Sequence, residues 1–145
     1  MAVRTVDPKS VIIAIGGVPV SGFSDGTFLE ISSDAQQFTK VTGADGFTTR
    51  VKTNNYGGTL TLTLAQSSPS NDVLSALFIA DRLRNAGVVP VLIKDLTGTT
   101  IIFAASGWIQ QIPDVSYGNT VLDRAWVIDL AEMDAFIGGN GETDQ

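Results

Sequence analysis

The sequence contains neither cysteine nor histidine among its 145 residues. Without cysteine there is no disulfide, no thiolate metal site and no cysteine nucleophile. Without histidine the chain lacks the usual general base near neutral pH and the commonest metal ligand. We therefore expect no catalytic residue, no metal site and no cofactor, although the composition still allows a hydrolase that uses carboxylates alone.

Charge is also scarce and unevenly placed. Charged residues make up 17% of the chain, against about 25% in a typical soluble domain. Residues 1–90 carry seven acids and seven bases, whereas residues 91–145 carry eight acids and only Lys94 and Arg124 as bases. The net charge of −6 thus lies in the last third. Because an acidic surface repels phosphates, we expect no specific nucleic-acid binding.

Long apolar runs are missing as well. The longest run of apolar residues and glycine, residues 11–20, contains two glycines and a proline, and a membrane-spanning helix needs about 20 apolar residues. We expect no membrane-spanning segment. The positive mean hydropathy, +0.21, together with the low charge instead indicates a surface that partners cover, and we expect the chain to associate with itself.

The clearest local pattern is the run TLTLTL at residues 59–64. A pleated strand would place its leucines on one face and its threonines on the other. Helix-start residues follow, with Ser68 able to accept a backbone hydrogen bond and Pro69 suited to the first helical position. The sequence predicts one α-helix over about residues 69–86, which Gly87 ends.

That predicted helix has no clean polar side. Its apolar residues spread beyond the single stripe of a helix lying on one core. Either the helix is sunk deeply in its own domain, or a second face meets another subunit. Under the second interpretation, Leu74 and Phe78 are candidate inter-subunit contacts.

Residues 42–55, TGADGFTTRVKTNN, form a predicted arm. Asp45 and Gly46 are a turn pair, and Phe47 stands beside two of the few bases, Arg50 and Lys52. The arm is either a solvated hairpin or a contact that reaches a neighbouring subunit, where its bases meet the acidic last third.

The remaining pattern is one of short strands separated by turns. It predicts a mainly β, single domain over residues 1–145, built as a two-sheet antiparallel β-sandwich or small barrel with one flanking α-helix. Gly107 should bend a strand, and Trp108 and Trp126 should pack in the core. The polar, glycine-rich end, about residues 138–145, should be a flexible tail.

The run NNYGGTLTLTLAQSSPSNDVLSAL, preceded by ADGFTTRVKT, resembles bacteriophage structural proteins of the tail tube of contractile-tailed phages. The resemblance is specific between Asp45 and Leu83 and compatible in length and strand order over most of the chain. It implies a two-sheet sandwich with a flanking helix, in subunits that form hexameric rings. These rings stack into a hollow tube inside a contractile sheath.

The resemblance also implies partners and site residues. The partners are further copies of the chain, the tail sheath, and baseplate or tail terminator proteins, in a virion tail assembled in the host cytoplasm. DNA passes through the lumen without specific binding. Asp45, Phe47, Arg50 and Lys52 would contact the adjacent ring or neighbour. Among the acids, Asp123 and Asp129 are candidates for the lumen wall, and simple solvation of an outer strand face is the other interpretation.

Two other functions stay open at this point. A tube-initiator or baseplate ring protein differs from a tube subunit in its copy number per particle, and a tail-like bacteriocin would use the same subunit. A small ligand-binding β-sandwich, such as a carbohydrate-binding or adhesin module, would need exposed aromatic rings. Phe47, Tyr56 and Tyr117 are the candidates.

Overall fold

The structure is a computed structural model that describes residues 3–140 and 142–144. Within these residues the chain forms twelve β-strands, a short 3-10 helix (Pro8–Ser10) and one α-helix, α1 (Ser70–Arg84). The strands are β1 (Val3–Thr5), β2 (Val11–Ile15), β3 (Val18–Pro19), β4 (Leu29–Ser33), β5 (Phe38–Thr42), β6 (Thr48–Lys52), β7 (Gly58–Ala65), β8 (Val89–Asp95), β9 (Ile101–Gln111), β10 (Asp123–Leu130), β11 (Met133–Phe136) and β12 (Glu142–Asp144).

Eight of these strands form the main sheet, and all of its pairings are antiparallel. Their order is β3-β2-β8-β9-β10-β7-β4, with β11 pairing to the first part of β9. Two small sheets stand apart from it: β5 pairs with β6, and β1 pairs with β12. The prediction of a mainly β, antiparallel fold with one helix is confirmed.

The long strand β9 joins two halves of the main sheet. Its first part pairs with β8 and β11, and its second part pairs with β10. At the junction Gly107 lies between Val89 and Leu130, and a Cβ there would be only 2.9 Å from Cγ2 of Val91. The ladder registers shift on both sides of this strand. Such bulges increase bending and twist, and they allow the two halves to enclose one core.

Alternate residues of the central strands supply that core. Along β7 the leucines are fully buried and the threonines are half-buried, as the alternation predicts. Trp126 on β10 is also buried, which confirms its predicted place. Trp108 was predicted to be in the core but is half-buried on the outer face, because its neighbours Gly107 and Ile109 take the inward positions. The largest fully buried side chains are Ile13, Leu60, Leu62, Leu64, Leu74, Val91 and Ile128.

The helix agrees with its prediction to within two residues at each end. The Oγ of Ser68 accepts a hydrogen bond from the backbone N–H of Ser70 at 3.3 Å, which gives the helix start a polar partner. Asn85 adopts φ +53° and donates its N–H to the carbonyl oxygen of Asp81 at 2.9 Å. Asparagine tolerates this left-handed conformation. The helix therefore ends at Arg84, three residues before Gly87, the predicted stop.

The two ends of the described chain are adjacent. Strand β12 pairs with β1 through the register Val3 to Asp144 and Thr5 to Glu142. The predicted flexible tail, about residues 138–145, thus contains a paired strand, and residues 141 and 145 of it lie outside the described part. No helix in the described ranges is both long and apolar enough to cross a membrane.

Candidate functional site

Strands β5 and β6 form a hairpin, residues 38–52, that stands outside the main sheet. Every residue from 38 to 52 is exposed. The hairpin is closed at its base by the N–H of Thr53, which donates to the carbonyl oxygen of Gln37 at 2.8 Å. It begins four residues before the predicted arm because β5 is part of it. An isolated two-stranded hairpin is at best marginally stable in water. This element is therefore typical of a segment that packs against a partner.

The strand register gathers bases on one face of the 38–52 hairpin. Phe38 lies opposite Lys52, and Lys40 lies opposite Arg50. The guanidinium carbon of Arg50 is 4.4 Å from the centroid of the Phe38 ring. Like charges directly opposite each other destabilise a ladder. Lys40 was missed in the sequence, although pairing the strand at 38–42 across the Asp45 turn would have placed it there.

The tip of the hairpin presents an aromatic ring and a carboxylate. Gly43 donates its N–H to the carbonyl oxygen of Phe47 at 2.8 Å, and Gly46 takes φ +89° in the turn. The Oδ1 of Asp45 accepts the N–H of Phe47 at 3.2 Å. The Phe47 side chain is 73% exposed. The structure thus brings together the four predicted contact residues Asp45, Phe47, Arg50 and Lys52 on one exposed element.

The outward side of strands β4, β7 and β10 is the second surface of interest, which we call the acidic face. Cross-strand neighbours there combine threonines with carboxylates, and no lysine or arginine occupies an outward position of these three strands. The outward residues are Glu30, Ser32, Thr59, Thr61, Thr63, Ala65, Asp123, Ala125, Val127 and Asp129. The predicted acids Asp123 and Asp129 share this face, and Glu30 joins them from two strands away.

Asp129 is the carboxylate whose electrostatics the fold perturbs. Burial raises its pKa above the ordinary value of 3.8, and the nearby Asp34 carboxylate raises it further. A hydrogen bond from the Trp108 side chain acts in the opposite direction. Asp34 in turn accepts a hydrogen bond from the Thr59 hydroxyl at 2.9 Å. Asp34 and Glu30 could not be assigned to this face from the sequence, because the pairing of β4 with β7 brings them there.

The helix corrects one predicted contact. Leu74 is 1% exposed and lies in the core of its own chain, so it is not available to another subunit. Phe78 is half-buried against the same core. The large apolar residues of the helix that are exposed are Val73, Ile79 and Leu83. Leu74, Leu77 and Phe78 pack on the core, so a second contact face of this helix would have to use the three exposed side chains.

A further apolar surface covers the outside of the other half of the main sheet. Ile12, Lys94, Ile101 and Phe136 follow one another across four strands, and the three apolar members are exposed. Phe103 is exposed in the next row. Contiguous apolar surface of this kind marks an interaction site more often than a single exposed residue does.

The described residues form several concave features, of which two bear on function. A groove of about 690 Å³ lies between β2 and the segment that leads into β4, and its apolar lining includes the stacked rings of Phe23 and Phe28, whose centroids are 4.6 Å apart. A smaller cavity of about 250 Å³ is lined by Arg124 and by residues of the loop after β9. Among the described residues no group of three or more potential metal ligands occurs.

The same fold occurs in proteins of contractile injection systems. The anti-feeding prophage cap, described as the AFP tube terminating cap, superposes with a TM-score of 0.65 at 12% identity, covering 92% of this chain and 92% of that chain. The sheath/tube terminator of the extracellular contractile injection system PVC, in its extended state, superposes with a TM-score of 0.64 at 12% identity. The match covers 93% of this chain and 99% of that chain.

The likeness to these two proteins is one of fold, since the identity is 12% in both cases. The chain belongs to the bacteriophage PhiTE tail tube protein family, whose sequence profile matches residues 7–138. It is also 36% identical over 123 residues to "Structural protein ORF10" of Pseudomonas phage KPP10, which covers 83% of this chain and 71% of that protein. The resemblance seen in the sequence is confirmed at the level of the family. The protein is a structural component of a phage tail.

Proposed function

We propose that this chain is the repeating subunit of the tube inside a contractile tail, polymerising as stacked hexameric rings. The observation that carries this proposal is the 38–52 hairpin, which projects from the core with every residue exposed. Its Lys40 and Arg50 repel each other across the ladder. Acidic side chains of a neighbouring copy would relieve that repulsion, and the surface of the same copy would cover the Phe47 ring. The hairpin is therefore an inter-subunit contact.

The acidic face is the wall of the lumen in this proposal. A conduit that passes DNA must not hold it, and a basic wall would hold phosphates by releasing their counterions. Glu30, Asp123 and Asp129 give the face one sign of charge, and the threonines between them are short hydroxyls. DNA moves past such a wall during ejection without specific contacts.

The apolar surfaces then belong to assembly. Ile79 and Leu83 on the outer side of α1, together with Ile101 and Phe103 on β9, are exposed in one copy. In a tube they meet neighbouring copies, the sheath, and the baseplate and terminator proteins at the two ends. Contacts that are head-to-tail repeat without limit along an axis, and this produces a polymer rather than a closed dimer. The role is structural, with no catalytic residue.

Electron microscopy of the purified protein tests this function. In negative stain at high protein concentration, the chain should form rings and tubes of one diameter, and rotational averaging should show six subunits per ring. A protein that stays strictly monomeric, with and without a tail preparation added as nucleus, would contradict the proposal.

A ring that caps or starts the tube is the second candidate. The likeness in fold to a tube terminating cap and to a sheath/tube terminator favours it. The two candidates differ in copy number. A tube subunit forms long stacks of rings and is abundant in purified tails. A terminator or initiator forms a single ring, so each tail contains one ring of it. Quantitative mass spectrometry of purified tails distinguishes them.

The apolar groove of about 690 Å³ is the feature that favours a ligand-binding module instead. Saturable binding of a glycan by protein that does not assemble would support this alternative. Binding that disappears when Phe28 is replaced by alanine would assign it to the groove.

A further inference from the structure

Arg124 is a buried cation that lines a cavity. It is 8% exposed on β10 and lines the cavity of about 250 Å³, which we call the Arg124 cavity. Its Nη1 donates to the carbonyl oxygen of Ser116 at 3.4 Å, and its Cζ lies 5.3 Å from the centroid of the Tyr117 ring. Among the side chains that the structure describes, no carboxylate pairs with it. A buried guanidinium without an anion is costly, so this site favours one.

The rim of the Arg124 cavity is apolar. Ile112, Val115 and Tyr117 line it and are all exposed, with Tyr117 81% exposed. On the opposite wall Asn71 and Ser75 belong to the first turns of α1. The helix dipole there favours negative charge. An occupant that suits this site combines a carboxylate with an apolar group.

The tip of the 38–52 hairpin has this combination. Asp45 is the one acid between residues 38 and 52. Its Oδ1 accepts the backbone N–H of Phe47, and its carboxylate is exposed. The Phe47 ring beside it is exposed too. The tip and the Arg124 cavity are therefore complementary in charge and in apolar surface.

The fold places these two features at opposite ends of the main sheet. The hairpin enters the sheet at Gly58, the first residue of β7, whereas Arg124 lies opposite Leu64 near the last residue of that strand. The eight residues of β7 span about 26 Å at about 3.3 Å per residue. Complementary surfaces at opposite ends of one chain repeat head to tail and build an open stack.

We propose that Asp45 and Phe47 at the hairpin tip of one copy occupy the Arg124 cavity of the next copy along the stack. The Asp45 carboxylate pairs with the Arg124 guanidinium, and the Phe47 ring packs against the apolar rim. This proposal rests on the proposed function, and it identifies the site that receives the hairpin.

A charge exchange tests the contact. Asp45→Arg and Arg124→Asp should each raise the protein concentration needed for tube growth by at least about 30-fold, the low end for breaking a desolvated charge pair. The double variant should restore growth to within a few-fold of the unmodified protein. Asp25→Arg, an exposed acid on another loop, is the matched control. Growth that is unchanged in Asp45→Arg, or a double variant no better than the singles, overturns the proposal.

A second measurement covers the case in which Arg124→Asp fails to fold. The exposed tip can change without disturbing the core, so Asp45→Asn with Phe47→Ala should keep the Tm and lose tube growth. Since the chain has no cysteine, Ala44→Cys at the exposed tip, which keeps Asp45 and Phe47, together with Val115→Cys on the rim gives a direct readout. Oxidised tubes of this variant should yield a ladder of linked chains on a non-reducing gel, and each single-cysteine variant should yield none. Tubes that grow normally but never cross-link contradict this contact alone, whereas unmodified protein that never assembles contradicts the proposed function.

Discussion

The indole Nε1 of Trp126 donates a hydrogen bond to Oδ1 of Asn71 at 2.9 Å. This bond joins the centre of β10 to the first turn of the helix. The amide nitrogen of the same asparagine donates to the carbonyl oxygen of Ala65 at 3.0 Å, at the end of β7. One side chain therefore fixes where the helix leaves the sheet. It also provides a partner for the one polar atom of a buried tryptophan.

Replacing Asn71 with alanine should destabilise the monomer by about 2 kcal/mol, because a buried indole N–H loses its acceptor. Urea denaturation followed by tryptophan fluorescence measures this loss. Ser75→Ala, one turn farther along the helix at an exposed position, should stay within about 0.5 kcal/mol of the unmodified protein. Equal stability of the Asn71 variant would show that water replaces the bond without cost.

Two leucines of the same helix should respond in opposite ways. Leu74→Ala opens a cavity in the core and should lower the free energy of unfolding by about 2–5 kcal/mol. Leu83 is 74% exposed, so Leu83→Ala should leave monomer stability within about 0.5 kcal/mol and weaken assembly instead. Thermal melts and sedimentation separate the two effects. A strongly destabilised Leu83 variant would mean that the outer side of the helix already serves its own domain.

The sequence predicts those parts of the fold whose signals are local. The alternation of residues 59–64 and the Ser68 start of the helix are each contained in a few residues, and both are confirmed. The position of Arg124 is not local, because its burial depends on β7 pairing with β10 and on the loop after β9. The same holds for Glu30 and Asp34 on the acidic face. Leu74 was misplaced because a helix with apolar residues on several sides does not show which of them faces inward.

Asp129→Asn should stabilise the protein at neutral pH. Burial, and then the Asp34 carboxylate, raise the pKa of Asp129 above 3.8 in the fold, so folding disfavours its ionised form. The unmodified protein therefore loses stability as pH rises from below 3.8 through the raised pKa of Asp129. The variant should be more stable at pH 7, and this gain should vanish below pH 3.8. Denaturation at both pH values measures it, with Asp25→Asn as the exposed control.

The 38–52 hairpin can be deleted, because the two residues that flank it, Gln37 and Thr53, are in direct contact. Because Thr53 donates its N–H to the carbonyl oxygen of Gln37, an Asn-Gly pair can join these residues as a two-residue turn. The shortened protein should keep the circular dichroism of the full chain and a cooperative melt, and it should form no stacks. The full-length variant with Lys40, Arg50 and Lys52 all changed to glutamine is the matched control for charge. If the shortened chain unfolds, the hairpin belongs to the core of its own domain.

Reversing the charge of the acidic face should turn a passive channel into one that holds DNA. The variant Asp123→Lys with Asp129→Lys puts two bases on the acidic face and leaves Glu30 and the threonines unchanged. Each contact between a lysine and a phosphate then raises the affinity for DNA by releasing counterions. Tubes of this variant should retain short linear duplex DNA at about 50 mM salt and release it as the salt rises to about 200 mM. The retained DNA should resist nuclease, because a wall of protein surrounds it.

Two control variants accompany this test. Tubes of Asp123→Asn with Asp129→Asn should retain no DNA, and tubes of Asp72→Lys, on the exposed first turn of the helix, should give at most binding that nuclease removes. If the lysine pair binds DNA that nuclease digests, this face lies on the outside of the tube and the lumen is formed by another side of the sheet.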